Sequence, residues 1–322
     1  MKLIIQIPCY NEEEHLPVTL AALPRKIAGV DIIEYLVVDD GSTDRTSEVA
    51  RSLGVHHVVR GPHRGLARTF MVGLEASIHA GADIIVNTDA DNQYCAEDIG
   101  KLVAPIIAGK AELVVGARPI KMIRHFSPLK RMLQRLGSWA VRVASGTEVA
   151  DAPSGFRAIS RNAAMQLKVF TDYSYTLETI IQAGRKGIAV ASVPIRTNKD
   201  LRPSRLVKSI ASYVRRSLVT ILRIFMTYRP LRFFLILGSI VFGAGFLLGA
   251  RFLYFVAIGA GTGHVQSLIL ASMFMMIGFM TWVMGLLADI ISVNRRLLEE
   301  ANARLWKLEE AFRESLDSRP SK

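Results

Sequence analysis

Short runs of aliphatic and β-branched residues alternate with segments of helical periodicity along the first 120 residues. Strands are predicted for LIIQIP, EYLVVDD, VHHVV, ADIIV and AELVVGAR, and capped helices for STDRTSEVARSLG and GLARTFMVGLEASIHAG. This alternation is typical of an α/β domain with a mostly parallel sheet flanked by helices. Ligands bind such sheets beyond the carboxyl ends of the strands. We therefore expect one shared edge for the polar residues that end these runs, which are residues 10–12, 39–42 and 89–93.

The pattern changes near residue 230 to two long apolar stretches. Residues 233–250 and 252–288 contain no Lys, Arg, Asp or Glu, and only Arg251 separates them. Their length predicts a transmembrane hairpin with spans at about 233–257 and 266–290. Arginines precede the first span and follow the second, whereas the turn between them has neither Lys nor Arg. The positive-inside rule therefore predicts an integral membrane protein with both termini and the α/β domain in the cytoplasm.

Amphipathic segments are predicted on both sides of the hairpin. Residues 204–230 place apolar side chains at helical spacing among basic ones, as in helices that lie in the membrane interface. Residues 292–322 carry a heptad-like seam that is compatible with a short coiled coil or with a solitary amphipathic tail. With the α/β domain at 1–203 and the hairpin at 231–291, the chain divides into four parts.

The net charge of +12 is unevenly distributed. Residues 119–147 contain six Lys or Arg and no acid, and residues 196–232 contain ten Lys or Arg and one acid. The second cluster runs into the first predicted span, which favours lipid head groups over nucleic acid as the partner. We recognise no nucleic-acid-binding module. Cys9 and Cys95 are expected to be reduced thiols, because the polar part of the chain is predicted to be cytosolic.

The acidic pair Asp89 and Asp91 directly follows the fourth predicted strand, in NTDADNQ. An Asp-x-Asp pair at a strand end can direct two carboxylates toward one hard cation. Taken alone, the pair is also compatible with a cap for the helix that follows. The motif therefore predicts a metal site only in company with other features.

Three further motifs accompany this pair, namely IPCYNEEEHL, VVDDGSTDRT and APSGFRAISR. In order and spacing, the four motifs resemble those of the family 2 glycosyltransferases with the GT-A fold. Within that family, the chain is similar to the polyprenyl-phosphate glycosyltransferases of the dolichyl-phosphate mannose synthase type. The resemblance covers roughly residues 1–210, and the predicted hairpin fits members that carry their own membrane anchor. Asn92, Tyr94 and Cys9 depart from the residues common in these relatives, so the resemblance leaves the sugar open.

The resemblance implies roles for individual residues. A divalent cation, Mg²⁺ or Mn²⁺, would be held by Asp89, Asp91 and Gln93. The nucleotide-sugar donor would contact Pro8, Tyr10, Glu12, Asp39, Asp40, Asp89, Ala90 and Arg118. The acceptor phosphate would meet Arg202, Arg205 and Lys208, and the catalytic set would comprise Asp91, Arg157, Glu178 and Arg202. For Glu178, a base or sugar-orienting carboxylate and a solvated helix residue are equally compatible with the sequence.

The resemblance implies an inverting, metal-dependent transfer of one sugar from a UDP- or GDP-linked donor to dolichyl or undecaprenyl phosphate at the cytoplasmic membrane face. Alternatives are a membrane-bound transferase acting on a polysaccharide or another glycan acceptor, and a non-catalytic membrane scaffold. The small-residue pattern from Gly245 to Gly249 is compatible with packing between protomers of a homo-oligomer or within the hairpin.

Overall fold

The computed structural model describes residues 1–119, 128–169, 175–198, 210–259 and 265–317. Two compact units divide the chain, residues 1–217 with 306–322, and residues 218–305. The first unit contains the whole sheet, and the second contains most of the apolar C-terminal part.

A seven-stranded sheet of order β3-β2-β1-β4-β6-β5-β7 forms the centre of the first unit. Its neighbours pair in parallel, except that β6 runs antiparallel to both β4 and β5. The strands are β1 (Lys2–Cys9), β2 (Ile32–Asp39), β3 (His57–Arg60), β4 (Ile84–Asn87), β5 (Leu113–Ala117), β6 (Arg157–Ser160) and β7 (Val190–Pro194). The mostly parallel α/β architecture expected from the sequence is therefore confirmed.

Helices connect the strands and cover the sheet. They are α1 (Leu16–Ala22), α2 (Thr46–Ser52), α3 (Leu66–His79), α4 (Ile99–Ile107), α5 (Pro128–Ser145), α6 (Arg161–Gln166) and α7 (Tyr175–Arg185). A further helix, α8 (Ile210–Tyr228), follows the last strand. A short 3₁₀ helix, Ala96–Asp98, precedes α4. Helices pack against both faces, so the central strands are buried on both sides and read as continuous apolar runs.

The strand β6 was missed by the sequence interpretation, which treated residues 151–167 as a turn and a helix. Only four residues long, β6 is held between β4 and β5. Its pairing partners lie more than forty residues away, so no local alternation of apolar residues marks it. The insertion of β6 brings Arg157, at its start, opposite Asn87 at the end of β4.

The second unit contains the predicted hairpin. Helices α9 (Pro230–Ala257) and α10 (Val265–Asp317) include two segments, Pro230–Ala257 and Val265–Arg295, that are long and apolar enough to cross a membrane. The helix α10 continues without a break past residue 291, where the sequence analysis placed a domain boundary. Residues 260–264, which include most of the predicted turn, lie outside the described part.

Glycines allow α9 and α10 to pack closely. A Cβ atom on Gly238 would lie 2.5 Å from the Trp282 ring, and one on Gly245 would lie 2.8 Å from the Ala271 carbonyl oxygen. The Trp282 indole donates a hydrogen bond to the Leu235 carbonyl at 3.2 Å. Gly245 thus packs within the hairpin, and packing between protomers stays a prediction.

Candidate functional site

The carboxyl ends of β1, β2 and β4 meet at one edge of the sheet, as the sequence pattern predicted. Asp89 and Asp91 lie in the loop after β4, and we call residues 88–95 the acidic loop. The Gln93 backbone amide donates a hydrogen bond to the Asp91 carboxylate at 3.2 Å, and Asn92 adopts a left-handed conformation with φ 53°. Asparagine tolerates this conformation better than most residues. The loop therefore turns sharply between its second carboxylate and Gln93.

Asp89 lies against the loop that precedes β6. The Tyr94 hydroxyl group donates a hydrogen bond to the Asp89 carboxylate and accepts one from the Gly155 backbone amide at 3.1 Å. Burial, together with the negative charge of Asp91, raises the pKa of Asp89 to about 7. The charges of Arg118 and Arg157 act in the opposite direction. The two carboxylates thus concentrate negative charge that the nearby arginines compensate only in part.

A buried hydrogen-bond network supports the acidic loop from below. The Asn87 side chain donates to the Gly155 carbonyl at 2.9 Å and to the Tyr175 hydroxyl at 3.1 Å, and it accepts a bond from Gln6 at 2.9 Å. Burial raises the pKa of Tyr175 well above its ordinary value. The Asn87 side chain thereby connects β1, α7 and the segment before β6 to the end of β4, close to Asp89.

Arg157 is fully buried next to this network. Its guanidinium group donates to the Thr179 hydroxyl at 2.5 Å and to the carbonyl groups of Ala152 and Ser154, each at 2.8 Å. Burial lowers its pKa to about 10. The catalytic role predicted for Arg157 stays a prediction. In the structure its guanidinium group donates to three protein oxygens and supports the segment that carries Gly155.

Arg118 lies at the end of β5 and is paired with Asp151. Its Nε and Nη2 atoms donate to the two carboxylate oxygens of Asp151 at 2.7 and 3.0 Å, a two-pronged geometry that fixes the guanidinium plane. Burial opposes the charge of Arg118, but the bond to Asp151 outweighs it and raises the pKa of Arg118. Asp151 was not predicted as a site residue, although it directly precedes the motif APSGFRAISR.

The aspartates that end β2 organise the neighbouring loops. Asp39 accepts hydrogen bonds from the Ser42 amide, at 2.8 Å, and from the Ser47 hydroxyl. The Asp40 carboxylate accepts hydrogen bonds from the backbone amides of Arg64 and Gly65 at 2.8 and 2.9 Å. One of its oxygens lies 2.8 Å from His63 Nδ1. Both carboxylates are buried. In the structure they shape the edge at which a nucleotide is predicted to bind.

Tyr10 and His63 form an exposed pair of rings at this edge. Their centroids are 4.2 Å apart and their planes are inclined by 26°. Pro8 lies two residues earlier in the buried end of β1, and Glu12, also buried, lies 3.4 Å from His15 Nδ1. An exposed aromatic surface beside buried carboxylates can stack against a planar base and orient its polar edge. His63 was not predicted, because no spacing marks it.

Residues 195–198, which follow β7, fasten the acidic loop from the other side. The Asn198 backbone amide donates to the Gln93 carbonyl at 2.9 Å, and the Asn198 side chain donates to the carbonyls of Asn92 and Tyr94 at 2.9 and 3.2 Å. The Arg196 carbonyl accepts the Cys95 amide at 3.2 Å. Residues 195–198 are thus bonded to the acidic loop on the side opposite Gly155. The remaining predicted acceptor residues, Arg205 and Lys208, and Arg202 itself lie outside the described residues.

Two further predicted residues are buried. Glu178 on α7 is only 4% exposed and lies 3.5 Å from the Gln182 amide nitrogen, so the interpretation as a solvated helix residue is wrong. Ala90 lies between the two aspartates of the acidic loop, and its carbonyl accepts a bond from the Thr19 hydroxyl at 2.7 Å. Glu178 thus accepts a bond from its own helix, whereas Ala90 is bonded to α1.

The residues present fit a divalent cation. Within the part of the chain that the structure describes, no three His, Cys, Asp or Glu side chains converge on one point. A cation would therefore take Asp89 and Asp91 from the chain, with the Gln93 side chain, water and ligand oxygens completing its shell. Mg²⁺ is commonly bound through one or two carboxylates plus substrate phosphates. Burial and the charge of Asp91 raise the pKa of Asp89, and a bound cation would offset the negative charge of the pair.

Comparison with known proteins identifies a family and relatives of this chain. Residues 4–168 match the family model described as Glycosyl transferase family 2. The UDP-N-acetylglucosamine–dolichyl-phosphate N-acetylglucosaminyltransferase of Methanococcus voltae is 31% identical over 217 residues, which cover 59% of this chain and 83% of the relative. The undecaprenyl-phosphate 4-deoxy-4-formamido-L-arabinose transferase of Pectobacterium atrosepticum is 29% identical over 316 residues, covering 93% and 90%. The second alignment therefore extends through the apolar C-terminal helices.

A solved structure shares the fold of the first unit. The glucosyl-3-phosphoglycerate synthase of Mycobacterium tuberculosis, crystallised with Mn²⁺, UDP-glucose and phosphoglyceric acid, superposes with a TM-score of 0.54 at 22% identity. The match covers 68% of this chain and 79% of that protein. At this level of identity, the likeness establishes the GT-A fold.

Proposed function

Since the chain belongs to glycosyl transferase family 2 and is a glycosyltransferase, we propose that it transfers a single sugar from a nucleoside-diphosphate sugar to a polyprenyl phosphate. The transfer inverts the sugar's anomeric configuration, depends on Mg²⁺ or Mn²⁺, and takes place at the cytoplasmic face of a membrane that the α9–α10 hairpin spans. The proposal depends chiefly on one observation, the pair of carboxylates at Asp89 and Asp91 beside the carboxyl ends of β1 and β2. We interpret this pair of carboxylates as the site of a divalent cation, which would in turn bind the diphosphate of the donor.

The acceptor class is supported by the relatives. Both curated relatives described above are named as transferring a sugar to a polyprenyl phosphate, dolichyl in one and undecaprenyl in the other. Their sugars differ, so the similarity supports the acceptor class and leaves the donor sugar to experiment. The two apolar helices of the second unit supply the membrane location that a polyprenyl chain requires.

The nucleotide would lie on the edge formed by β1 and β2. Tyr10 and His63 present their stacked rings to the base, and the loops organised by Asp39 and Asp40 surround the ribose. Asp89, Asp91 and Gln93 would hold the cation against the diphosphate. Arg118, oriented by Asp151, contributes positive charge to the same region.

In the reaction, an oxygen of the acceptor phosphate attacks the anomeric carbon from the face opposite the nucleotide. The new C–O bond forms as the bond to the nucleoside diphosphate breaks, and the electron pair leaves on the diphosphate. A bound divalent cation would stabilise the negative charge that develops there. The acceptor oxygen is already ionised near neutral pH, so the chain's task is to bring two anions together. Arg202, Arg205 and Lys208 are the residues that we assign to the acceptor phosphate.

The experiment that tests this proposal is transfer by the purified full chain in detergent, with radiolabelled UDP and GDP sugars, polyprenyl phosphate and Mn²⁺ or Mg²⁺. We expect one donor to give a lipid-linked product that disappears with EDTA and in Asp91→Asn. The matched control is Glu48→Gln, which removes a negative charge from an exposed position on α2. Donor hydrolysis without lipid product, or transfer only to a soluble acceptor, would contradict the acceptor assignment. Unchanged activity of Asp91→Asn would contradict the cation site.

A further inference from the structure

Arg251 is the only Lys, Arg, Asp or Glu between residues 233 and 288. The first acid that follows it in the sequence is Asp289, which lies roughly 36 Å along α10 from the start of that helix at Val265. Because a second copy of the chain has the same sequence, its hairpin offers no carboxylate in this stretch either. The counter-ion of Arg251 must therefore come from outside the hairpin.

Arg251 lies on the side of α9 that faces away from α10. The face toward α10 contains Gly238, Gly245 and Gly249, where an added Cβ atom would lie 2.5, 2.8 and 3.8 Å from atoms of α10. Because a helix turns roughly 100° per residue, Arg251 is roughly 120° or more around α9 from each of these glycines. Its side chain is exposed, so in a membrane the guanidinium group would meet lipid.

The spacing of the arginines on α9 matches the thickness of a bilayer. Arg232 and Arg251 delimit the apolar residues 233–250, and they lie roughly 28 Å apart along the helix. The hydrocarbon core of a bilayer is about 30 Å thick. With Arg232 at the cytoplasmic boundary, as the proposed orientation requires, Arg251 lies at the opposite boundary.

The first turn of α10 is polar at a similar level. An added Cβ atom on Gly249 would lie 3.8 Å from Ala271 Cβ, so these two residues are at similar heights in the antiparallel hairpin. Arg251 follows Gly249, and Gln266 and Ser267 precede Ala271, so all three polar residues lie within about one helical turn along the hairpin axis. Both helices thus change from apolar to polar at the same height.

The Arg251 side chain extends away from residues 233–250. Its guanidinium carbon lies 5.6 Å from the ring centroid of Phe255, which is one turn closer to the end of α9. Helical side chains usually lean toward the N-terminus, so this contact directs the charge outward, as in arginines that reach for the membrane surface. Tyr254 is 64% exposed, and tyrosine is enriched at membrane boundaries. We call Arg251, Tyr254 and Phe255 the outer arginine site.

From this arrangement we infer that the outer arginine site binds the phosphate group of a lipid at the non-cytoplasmic boundary of the membrane. The inference rests on the proposed function in that α9 is taken to cross the bilayer. A guanidinium group without a carboxylate partner requires another anion, and phosphate oxygens match its fork of donors. A phospholipid head group and a polyprenyl phosphate offer the same chemistry. A bound phosphate would fix the depth of α9 in the bilayer, and it takes no part in sugar transfer.

Labelling of single cysteines tests the position of Arg251. The two native cysteines, Cys9 and Cys95, are replaced by Ser in the full chain, which then receives Arg251→Cys, Gly243→Cys or Arg304→Cys. Gly243 is the depth control, because it lies within the apolar stretch and an added Cβ atom there meets nothing within 4 Å. Arg304, which is 77% exposed, marks the cytoplasmic side. A membrane-impermeant maleimide is added to sealed right-side-out or inverted vesicles of a bacterial host.

We expect Arg251→Cys to react only in right-side-out vesicles, Arg304→Cys only in inverted vesicles, and Gly243→Cys in neither. If position 251 is as unreactive as position 243 while position 304 reacts as expected, Arg251 lies inside the hydrocarbon core. That outcome would overturn the inference and leave the proposed orientation intact. Any other sidedness of positions 251 and 304 would overturn both.

Native mass spectrometry of the full chain in detergent measures the bound lipid. The protein is incubated with phosphatidylglycerol or with polyprenyl phosphate, and the fraction that retains lipid is compared between variants. Arg251→Leu should lower this fraction about fivefold, as expected for removing one cation at a lipid surface. Arg251→Lys should recover it only in part, since an ammonium group lacks the planar fork of donors. Arg304→Leu is the matched control and should retain lipid like the original protein.

The identity of the lipid follows from the same comparison. A loss confined to phosphatidylglycerol would assign the site to a phospholipid, and a loss confined to polyprenyl phosphate would assign it to that lipid. Equal retention of both lipids by Arg251→Leu and by the original protein would overturn phosphate binding, wherever the maleimide places position 251. In Arg251→Cys, a cationic methanethiosulfonate should restore retention, and a neutral one should not. Restoration by both reagents would overturn the role of the charge.

Discussion

The hydroxyl group of Tyr94 accepts a hydrogen bond from the Gly155 backbone amide at 3.1 Å and donates one to the carboxylate of Asp89. One side chain thereby joins the acidic loop after β4 to the segment that precedes β6. Its ring also stacks on Phe156 with a centroid distance of 4.9 Å. Tyr94 is thus a positioning residue for the first carboxylate of the predicted cation site, because its hydroxyl group is bonded to Asp89.

Tyr94→Phe should therefore weaken cation binding while leaving the fold intact. The change keeps the ring and removes only the bonds to Asp89 and Gly155. Loss of a partner that orients a metal ligand typically lowers affinity by about tenfold or more. Titration of Mn²⁺ in the presence of a nucleoside diphosphate, followed by electron paramagnetic resonance, measures this directly. Tyr35→Phe is the control, since the Tyr35 hydroxyl also makes one bond, to the Pro24 carbonyl, away from the site. Equal Mn²⁺ affinities in both variants would refute the positioning role.

Gly155→Ala should disturb the same contact by steric means. A Cβ atom there would lie 2.8 Å from the Tyr175 hydroxyl and 3.1 Å from an Asp89 carboxylate oxygen. One of these groups must move, so we expect weaker Mn²⁺ binding and a loss of stability of about 1–3 kcal/mol. Calorimetric titration of Mn²⁺ in the presence of a nucleoside diphosphate, and thermal unfolding, provide the two readouts. At Gly61 an added Cβ meets no atom within 4 Å, and Gly61→Ala should leave both quantities close to their original values.

Asn198→Ala should loosen the acidic loop from its other side. The variant leaves the carbonyl groups of Asn92 and Tyr94 without the donor that they have at 2.9 and 3.2 Å. Each lost bond contributes about 1 kcal/mol, so the combined loss corresponds to roughly a tenfold change or more in binding of the nucleotide with its cation. The matched control is Asn162→Ala, whose amide donates to Glu112 at 2.7 Å on another surface. Normal nucleotide affinity in Asn198→Ala would show that the bonds from residues 195–198 are not needed to shape the acidic loop.

The sequence predicted those parts of the molecule that depend on local patterns. Five strands, the convergence of Tyr10, Asp39 and Asp89 on one edge, and two long apolar helices were all evident from runs and spacing. The strand β6 was not, because it forms only through pairing with β4 and β5. Contacts between distant segments, such as Asp151 with Arg118 or Asn198 with Tyr94, have no local signature either.

The same distinction explains where residue roles remained open. Motif position favoured Arg157 as a group that acts on ligands, and the sequence left the role of Glu178 open, because neither pattern reveals burial. In the structure Arg157 donates to three protein oxygens and Glu178 lies in the interior. Tyr94 was seen only as a departure from the family, whereas its hydroxyl connects two of the four motifs.

Asp98 should make the stability of the protein dependent on pH in the acid range. It is fully buried at the end of the 3₁₀ helix, where it accepts the Arg196 amide at 2.6 Å, the Arg196 guanidinium at 2.9 Å and the Lys101 ammonium at 2.8 Å. Burial favours protonation, but these donors outweigh it and lower the pKa of Asp98 from 3.8 to about 2. Because the folded-state pKa is the lower one, the contribution is fully present above about pH 4 and is lost as the pH falls toward 2.

The size of this contribution follows from the shift in pKa, which corresponds to about 2 kcal/mol at neutral pH. In Asp98→Asn the protein should be less stable at pH 6 by about that amount, and the difference from the original protein should diminish between about pH 4 and 2. Glu97→Gln serves as the control, because Glu97 pairs with the same Arg196 at 2.9 Å but its side chain is 77% exposed. Exposed pairs contribute little, so this variant should follow the original protein at every pH. Thermal unfolding of the full chain in detergent between pH 2 and 6 measures all three. A constant difference between Asp98→Asn and the original protein across this range would mean that Asp98 contributes through its packing, without any contribution from its charge.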